Sequence, residues 1–575
     1  MKMKINKKDF YILGISCGYH DSAAALVKNG KVVGACEEER FTGIKHDSSF
    51  PFRTINWLLE NEKINNNDID VVSFYENPKI KLDRISKSTK KGGIFRKLHR
   101  HQIIYRNKKD YKNVEKEIKT LFPSSEIFYS EHHLSHLGYS YYTSPYEKSI
   151  IISVDGVGEW ESAVIAYGEE NRIIKLQSIE FPHSLGMFYS AFTAFLGFKP
   201  NEGEYKVMGL APYGNPHTYL QKFNDIIQPT DDGGFELNMN FFDYDWSDEV
   251  MFNEKLGEHL GITNRLPEEE LLNQHKDLAA TVQIIYEKYF FRLLNRSIAL
   301  RPANNLCLGG GCAYNGTANG KITELTPYKG IWIPPAPSDA GSAIGSALLY
   351  WYENLNNKKR VDNTNPYLGP SYSNEYIKEI LHKYENEIWY EYKNHSEIIP
   401  IVSREITDGN VIGWFEGRME FGARALGNRS ILANPRDPQM KSRVNRVIKK
   451  RESFRPFAPI VKEEERLKYF DYKNLVPYMN QVVKVKEEHR KNLPAITHVD
   501  GSARIQTLNN RQNTRIYKLL NQLEIDNGYP IVLNTSFNLK DQTMVLDPET
   551  AIKTFLDCEM DTLVLHNYIV RKKII

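Results

Sequence analysis

Two histidines four residues apart, His132 and His136, stand in the run Glu131-His132-His133-Leu134-Ser135-His136. On a helix that spacing puts both imidazoles on one face, one turn apart. Just downstream, Ser149 to Val154 reads as a buried strand that ends in Asp155 and a glycine turn. A second aspartate, Asp339, follows the strand Ile331 to Ile333 and a proline-rich link, and precedes a run of small residues. Two imidazoles and two carboxylates form an N/O donor set suited to iron, manganese or zinc. The pair is not a His-Glu-x-x-His protease helix, because position 133 is a histidine and the glutamate base is missing. Alone, a His-x3-His pair also reads as two core or surface histidines; the strand-end aspartates favour the metal.

Other residue patterns suit phosphate. The strand Leu306 to Leu308 enters Gly309-Gly310-Gly311, with Asn315 and Asn319 following at helical spacing. Three glycines let a base or ribose approach the backbone, and a helix start favours anions; a tight strand-to-helix turn is the plainer alternative. Further on, Arg424 lies in Glu420-Phe421-Gly422-Ala423-Arg424-Ala425-Leu426-Gly427, Arg455 in Phe454-Arg455-Pro456, and Arg504 in Gly501-Ser502-Ala503-Arg504. Guanidinium forks among glycines and hydroxyls match phosphate oxygens bidentately. The run Lys449-Lys450-Arg451 reads by itself as a solvated face.

These residues need elements to hold them. Tyr11 to Ser16 is a strand, followed by the turn Cys17 to Asp21, a strand Ser22 to Lys28, the hairpin pair Asn29-Gly30 and a strand Lys31 to Cys36. The same plan recurs from Ser149: a strand to Val154, the turn Asp155 to Glu159, then strands Ser162 to Tyr167 and Arg172 to Ser178. Two copies of one meander imply a duplicated fold whose polar turns face each other, with glycine N–H groups such as that of Gly156 suited to phosphate oxygens. Leu185 to Leu196 reads as a helix, Glu202 to Gly214 as a glycine loop, and Leu271 to Leu300 as a long amphipathic helix. The polar stretch Asn354 to Pro366 marks a linker, after which Ser373 or Asn374 caps a helix.

At 575 residues the chain exceeds one core. Its 41% hydrophobic and 26% charged residues are ordinary globular composition. No apolar run spans a bilayer. Five scattered cysteines argue against a disulfide framework and suit a reducing cytoplasm. Net charge is +3, but Lys79 to Lys112 holds thirteen Lys/Arg against Asp83 and Asp110. That stretch reads as a solvated, partly helical insertion; it lacks stacking aromatics, so nucleic acid is not expected.

Taken together, these motifs resemble the NodU/CmcH-type O-carbamoyltransferases. The resemblance rests on Gly-Tyr-His-Asp-Ser-Ala-Ala-Ala, His-His-Leu-Ser-His, Val-Asp-Gly-Val-Gly-Glu, Lys-Val-Met-Gly-Leu-Ala-Pro-Tyr-Gly, the triple glycine, Glu-Phe-Gly-Ala-Arg-Ala-Leu-Gly-Asn-Arg-Ser and Asn-Thr-Ser-Phe-Asn, in that order. It implies an α/β protein: a duplicated actin-like ATPase (ribonuclease H-like) domain over residues 1–355, a linker at 356–370, and a smaller YrdC-like domain over 371–575. It implies that the second domain makes carbamoyl-adenylate from carbamoyl phosphate and ATP, and that the first passes the carbamoyl group to an acceptor hydroxyl. On this carry-over a divalent metal, usually Fe2+, falls to His132, His136, Asp155 and Asp339. His20 is the base at the transfer site. Lys45, Arg424, Lys449, Arg455, Arg504 and Ser536 hold carbamoyl phosphate and the ATP phosphates, with Lys450 and Arg451 as rivals to Lys449. Gly156, Gly310, Gly311 and Asn315 lie near the nucleotide. The expected partner is a small-molecule acceptor, with a homodimer left open. A sugar or acid kinase of the same fold, or an ATP-gated binding protein, are the rival readings; the first needs no C-terminal arginines and the second no metal shell.

Overall fold

The structure is a computed structural model describing residues 9–88, 94–247, 249–450, 452 and 454–573. It is a mixed α/β chain that falls into two compact units, Met1–Glu38 with Asp47–Thr364, and Glu39–His46 with Asn365–Ile575. The sequence division puts Lys45 in the first domain; the structure groups its short segment with the second unit.

In the first unit, β1 (Tyr11–Ser16), β2 (Ala23–Lys28), β3 (Lys31–Glu37), β4 (Val71–Phe74) and β5 (Glu126–Tyr129) form a sheet in the order β3-β2-β1-β4-β5. The first three strands are an antiparallel meander, and β4 and β5 add in parallel beside β1. Asn29 and Gly30 both take positive φ, 50° and 82°, as the hairpin pair requires. A second sheet uses β6 (Lys148–Val154), β7 (Glu161–Glu169) and β8 (Arg172–Glu180). After a two-stranded ribbon, β9 (Ile227–Pro229) with β10 (Phe235–Leu237), come β11 (Asn305–Gly309) and β12 (Gly330–Trp332). The order is β12-β11-β6-β7-β8. Here too a meander is joined by two strands that run parallel to its first strand. The two sheets therefore share one strand order and one pattern of pairing.

The basic stretch forms the helices Pro78–Ser88 and Ile94–Leu121 on either side of residues that lie outside the described set. One expected loop is helical: Glu204–Leu210 is an α-helix, with Ala211–Tyr213 a 3₁₀ turn. The Glu204 carboxylate accepts the Ser190 hydroxyl at 2.6 Å and the Asn201 N–H at 2.9 Å, which fixes the helix start.

Two buried helices carry three of the four candidate ligands. His132–Tyr142 begins at His132, and Asp339–Leu349 begins at Asp339, which is thus a helix start and not a strand end. A carboxylate in the first turn of a helix is favoured by the peptide dipoles. Every residue of Asp339–Leu349 is buried, and its small side chains let it press against two neighbours. A Cβ on Gly345 would collide with the Ser135 carbonyl oxygen and sit 2.9 Å from the Tyr139 nitrogen; one on Gly14 of β1 would collide with the Ala343 carbonyl. Glycine is required at both places by backbone approach.

The second unit is built on an eight-stranded sheet. Its strands are β13 (Ile388–Tyr392), β14 (Ile412–Phe415), β15 (Arg429–Ala433), β16 (Ala458–Lys462), β19 (Gln506–Leu508), β20 (Ile531–Ser536), β21 (Thr562–Leu565) and β22 (Tyr568–Lys572); β17 (Val482–Lys484) and β18 (Ser502–Arg504) pair separately. The order is β13-β22-β21-β14-β15-β20-β16-β19. Alternating side chains feed two cores. Ile412, Trp414 and Val532 pack with the helices His395–Thr407 and Thr514–Asn527, whereas Phe415, Ile531 and Leu533 pack with Val444 and Ile448. Ser373, of the two expected caps, accepts the Tyr376 N–H and starts Asn374–Lys383.

Gly345→Ala should destabilise the first unit by roughly 1–3 kcal/mol, the usual cost of overpacking. Denaturant unfolding measures it, and a variant as stable as the parent would contradict the close crossing.

Candidate functional site

His132, His136, Asp155 and Asp339 converge. One ligand atom from each lies within 4.8 Å of all the others. His132 Nε2 is 3.0 Å from Asp155 Oδ2 and 3.6 Å from Asp339 Oδ1; His136 Nε2 is 3.4 Å and 3.5 Å from the same oxygens. The two Nε2 atoms are 3.0 Å apart. Nitrogen and oxygen ligands held about 2.0–2.2 Å from one cation lie roughly 3.0–3.5 Å from each other, so the donor set fits a small divalent ion.

Burial and charge oppose each other here. Desolvation alone would push both imidazoles down, but the Asp155 and Asp339 carboxylates prevail: His132 is raised, and His136 is pushed up to about 9. For the two aspartates burial favours the neutral acid, yet the imidazoles hold both below the usual carboxylate range. The pocket favours positive charge between its carboxylates, whether protons or a cation.

Surrounding groups fix the ligands. The Ser342 hydroxyl is 3.0 Å from His136 Nδ1, which leaves Nε2 aimed inward. The Gly311 N–H donates to Asp155 Oδ1 at 2.8 Å. Glu159 accepts the His132 backbone N–H at 3.0 Å and the Asn77 N–H at 2.6 Å, anchoring the helix start. His133, the odd histidine of the motif, is not a ligand: its nitrogens lie 2.9 Å from the Ser153 hydroxyl and 2.9 Å from the Glu161 carbonyl, and burial followed by the neighbouring imidazoles keeps it well below its ordinary pKa. Sequence reasoning misses Ser342 and Glu159, since neither stands at a ligand spacing.

The glycine turns pack on the end of β6. Gly310 takes φ 84°, and a Cβ there would collide with the Val154 carbonyl; with Gly311 bonded to Asp155, the triple glycine clasps the end of β6. Asn315 caps the short helix after it and exchanges amide hydrogen bonds with Gln283 at 3.1 and 3.2 Å. Its side chain is thus held by the protein. The Gly156 carbonyl accepts the Ser184 hydroxyl at 2.6 Å.

His20 is half-buried in the β1–β2 turn, with Nδ1 3.1 Å from Asp21 Oδ2. Burial lowers its pKa, but Asp21, Asp339 and Asp155 together push it up to about 9. Charge on the last two is what a bound cation would offset.

In the second unit Lys449 and Ser536 come together. Lys449 is 3% exposed, and its ammonium donates to the carbonyls of Ser536 and Asn538, both at 2.8 Å, and to the Asn538 side chain. Of its rivals, Lys450 is exposed at φ 48° and Arg451 lies outside the described residues. Arg424, Arg455 and Arg504 are half-buried. Arg455 lies 3.5 Å from Glu452 Oε2, and Arg504 ends β18. Arg424 belongs to a loop shaped from inside. Glu420, fully buried, accepts the N–H groups of Leu426, Asn428 and Arg429 at 2.7, 2.8 and 3.2 Å. Arg429, also fully buried, donates to the Glu416, Asn428 and Pro370 carbonyls and lies 3.6 Å over the Phe415 ring. The Ala425 carbonyl accepts from Asn534 at 2.9 Å, two residues before Ser536 on β20. The segment Glu39–His46 attaches to this loop through Arg40, which donates to the Gly422 carbonyl at 3.2 Å, and Phe41, which packs on Met419 and Ala425. Lys45, exposed, is carried on that segment.

A mixed α/β chain with a two-histidine, two-aspartate pocket in one unit and a buried lysine under a polar strand end in the other defines the class. Residues 11–348 match the family model described as the carbamoyltransferase N-terminus, and residues 403–572 the carbamoyltransferase C-terminus. The chain belongs to the carbamoyltransferase family and is a carbamoyltransferase enzyme. It is 40% identical to an uncharacterized protein of Synechocystis over 98% of this chain and 97% of that one. It is 35% identical to nodulation protein NolNO of Sinorhizobium fredii over 96% and 79%, and 36% identical to nodulation protein NolO of Bradyrhizobium diazoefficiens over 77% and 79%. Among solved structures, HypF of T. kodakarensis covers 61% of this chain at 13% identity, but its TM-score of 0.33 carries no argument. No helix among the described residues is long and apolar enough to cross a membrane.

If the tetrad holds a cation, Ser342→Ala should weaken divalent-metal affinity about 10- to 100-fold, the usual effect of losing an outer-shell partner, without unfolding the protein. Anaerobic Fe2+ titration against a competing chelator reads it out; unchanged affinity would remove Ser342 from that role.

Proposed function

We propose that this carbamoyltransferase is ATP-dependent and works in two stages: the second unit makes carbamoyl-adenylate from carbamoyl phosphate and ATP with release of phosphate and pyrophosphate, and the first unit transfers the carbamoyl group to a hydroxyl of a small-molecule acceptor with release of AMP. The observation that carries this reading is the tetrad, a cation pocket buried in the family's N-terminal region. The common strand order of the two sheets supports an actin-like ATPase (ribonuclease H-like) duplication in the first unit, with a linker near 356–370 and a YrdC-like second unit.

A carbamate is a poor electrophile until its leaving group is good, and adenylation supplies that group. In the second unit, Arg424, Arg455 and Arg504 would grip phosphate oxygens in forked contacts. Lys449 positions the Ser536–Asn538 turn, since its donors are taken by that turn, and the Ser536 hydroxyl would exchange its bond to Asn538 Oδ1 for one to phosphate. Lys45 adds charge from the attached segment. In the first unit, His132, His136, Asp155 and Asp339 would hold a divalent cation, Fe2+ by resemblance. When bound, such a cation polarises a carbonyl oxygen and offsets phosphate charge. His20, held by Asp21, would take the proton of the acceptor hydroxyl, an effect of typically about 100- to 10,000-fold. Gly156 and the clasp of Gly310 and Gly311 keep Asp155 in place while the nucleotide is bound.

The test is to incubate protein, ATP and carbamoyl phosphate and look for pyrophosphate and carbamoyl-adenylate; release of neither would refute the ATP-dependent route. Arg455→Ala should abolish adenylate formation, and full retention would take Arg455 out of the pocket. His20→Ala should leave the adenylate intact while slowing transfer about 100-fold or more; unchanged transfer would contradict its assignment.

A further inference from the structure

The second unit contains a cleft of about 810 Å³ that the proposed reaction does not use. It opens at the start of the helix Thr514–Asn527. Four cationic side chains line it, Arg418, Arg511, Arg515 and Lys518, against one carboxylate, Glu416. Arg418 is committed to the protein, donating to the carbonyls of Leu368 and Gly369. Arg511 and Lys518 are exposed and make no side-chain hydrogen bond or ion pair among the described residues. Arg515 is 6% exposed; it pairs with Glu416, donates to the His566 carbonyl at 2.7 Å, and keeps a buried Nε–H without a partner. A buried donor left unpaired costs about 1–3 kcal/mol, which a ligand acceptor would relieve. The Asn513 side chain caps the Ile516 N–H, leaving the Thr514 and Arg515 N–H groups without intrahelical acceptors.

Charge, exposed cations, an unpaired buried donor and open backbone N–H groups belong to residues that line one space, and each favours an anion. The volume lies in the range of ordinary small-molecule sites. Asn521, Gln522, Ile399 and Ile525 also line it, adding amides and apolar groups that suit an uncharged polar body. The cleft belongs to the Trp414 side of the sheet, where Thr514–Asn527 packs; Lys449 follows Ile448, which packs in the core of the opposite face. We propose that this cleft binds a phosphate ester or anhydride of nucleotide size, at a site separate from Lys449 and Ser536.

Hydrogen–deuterium exchange on the full-length chain tests this, with ADP and inorganic pyrophosphate as separate probes. Either probe should slow exchange in residues 511–518 at least tenfold, equally in the parent and in Arg455→Ala. The effect should vanish in the Arg511→Ala/Lys518→Ala double variant, whose exposed substitutions leave the core intact, and circular dichroism checks its fold. Protection by both probes assigns recognition to the phosphates; protection by ADP alone adds the nucleoside. No protection of this segment by saturating ligand would overturn the proposal. So would protection lost in Arg455→Ala alone, because the ligand would then belong to the reaction pocket; that outcome leaves the adenylation assay unaffected.

Discussion

Two buried carboxylates, each within 3.6 Å of both of two buried imidazoles, set the conditions for the first unit. Removing such groups from water costs several kcal/mol each unless they meet charge of opposite sign. Breaking one partnership leaves the others unpaired in a medium that cannot solvate them. The four groups come from a helix start, a strand end and a second helix start, so strand order and helix crossing must both be right. Gly345 and Gly14 permit the crossing, Gly311 ties Asp155 down, and Ser342 and Glu159 orient the histidine helix.

The second unit solves a different problem. It orders the backbone of the loop that carries Arg424. Glu420 and Arg429 do this from the interior, each satisfying several main-chain groups of the Glu416–Arg429 loop. The segment Glu39–His46 then brings Lys45 to a unit from which it is far removed in sequence. Lys449, buried, donates to the Ser536 carbonyl at the end of β20.

Much of the first unit is legible because meanders and turns leave local signals. The Asn29-Gly30 hairpin, β1 and the long helix Asn273–Leu300 stand where period and turn chemistry put them. The histidine spacing is legible for the same reason. The joining of His132 with Asp155 and Asp339 rests on ligand chemistry, since long-range contact has no local mark. Glu204–Leu210 reads as a loop because its glycines and proline outweigh a helix start fixed by Glu204 side-chain bonds. The cleft beside Arg515 is invisible in sequence, because its lining is gathered from separate segments, residues 365–367, 395–400, 416–428 and 511–525.

The most direct test of the tetrad as a cation site is X-ray absorption on anaerobically purified protein, beside Asp339→Asn. One divalent ion per chain, with imidazole scattering from two histidines and N/O ligands at about 2.0–2.2 Å, lost in the variant, is the predicted result. A fully active protein that holds no such ion, or one bound without imidazole, would contradict the tetrad as the centre of carbamoyl transfer.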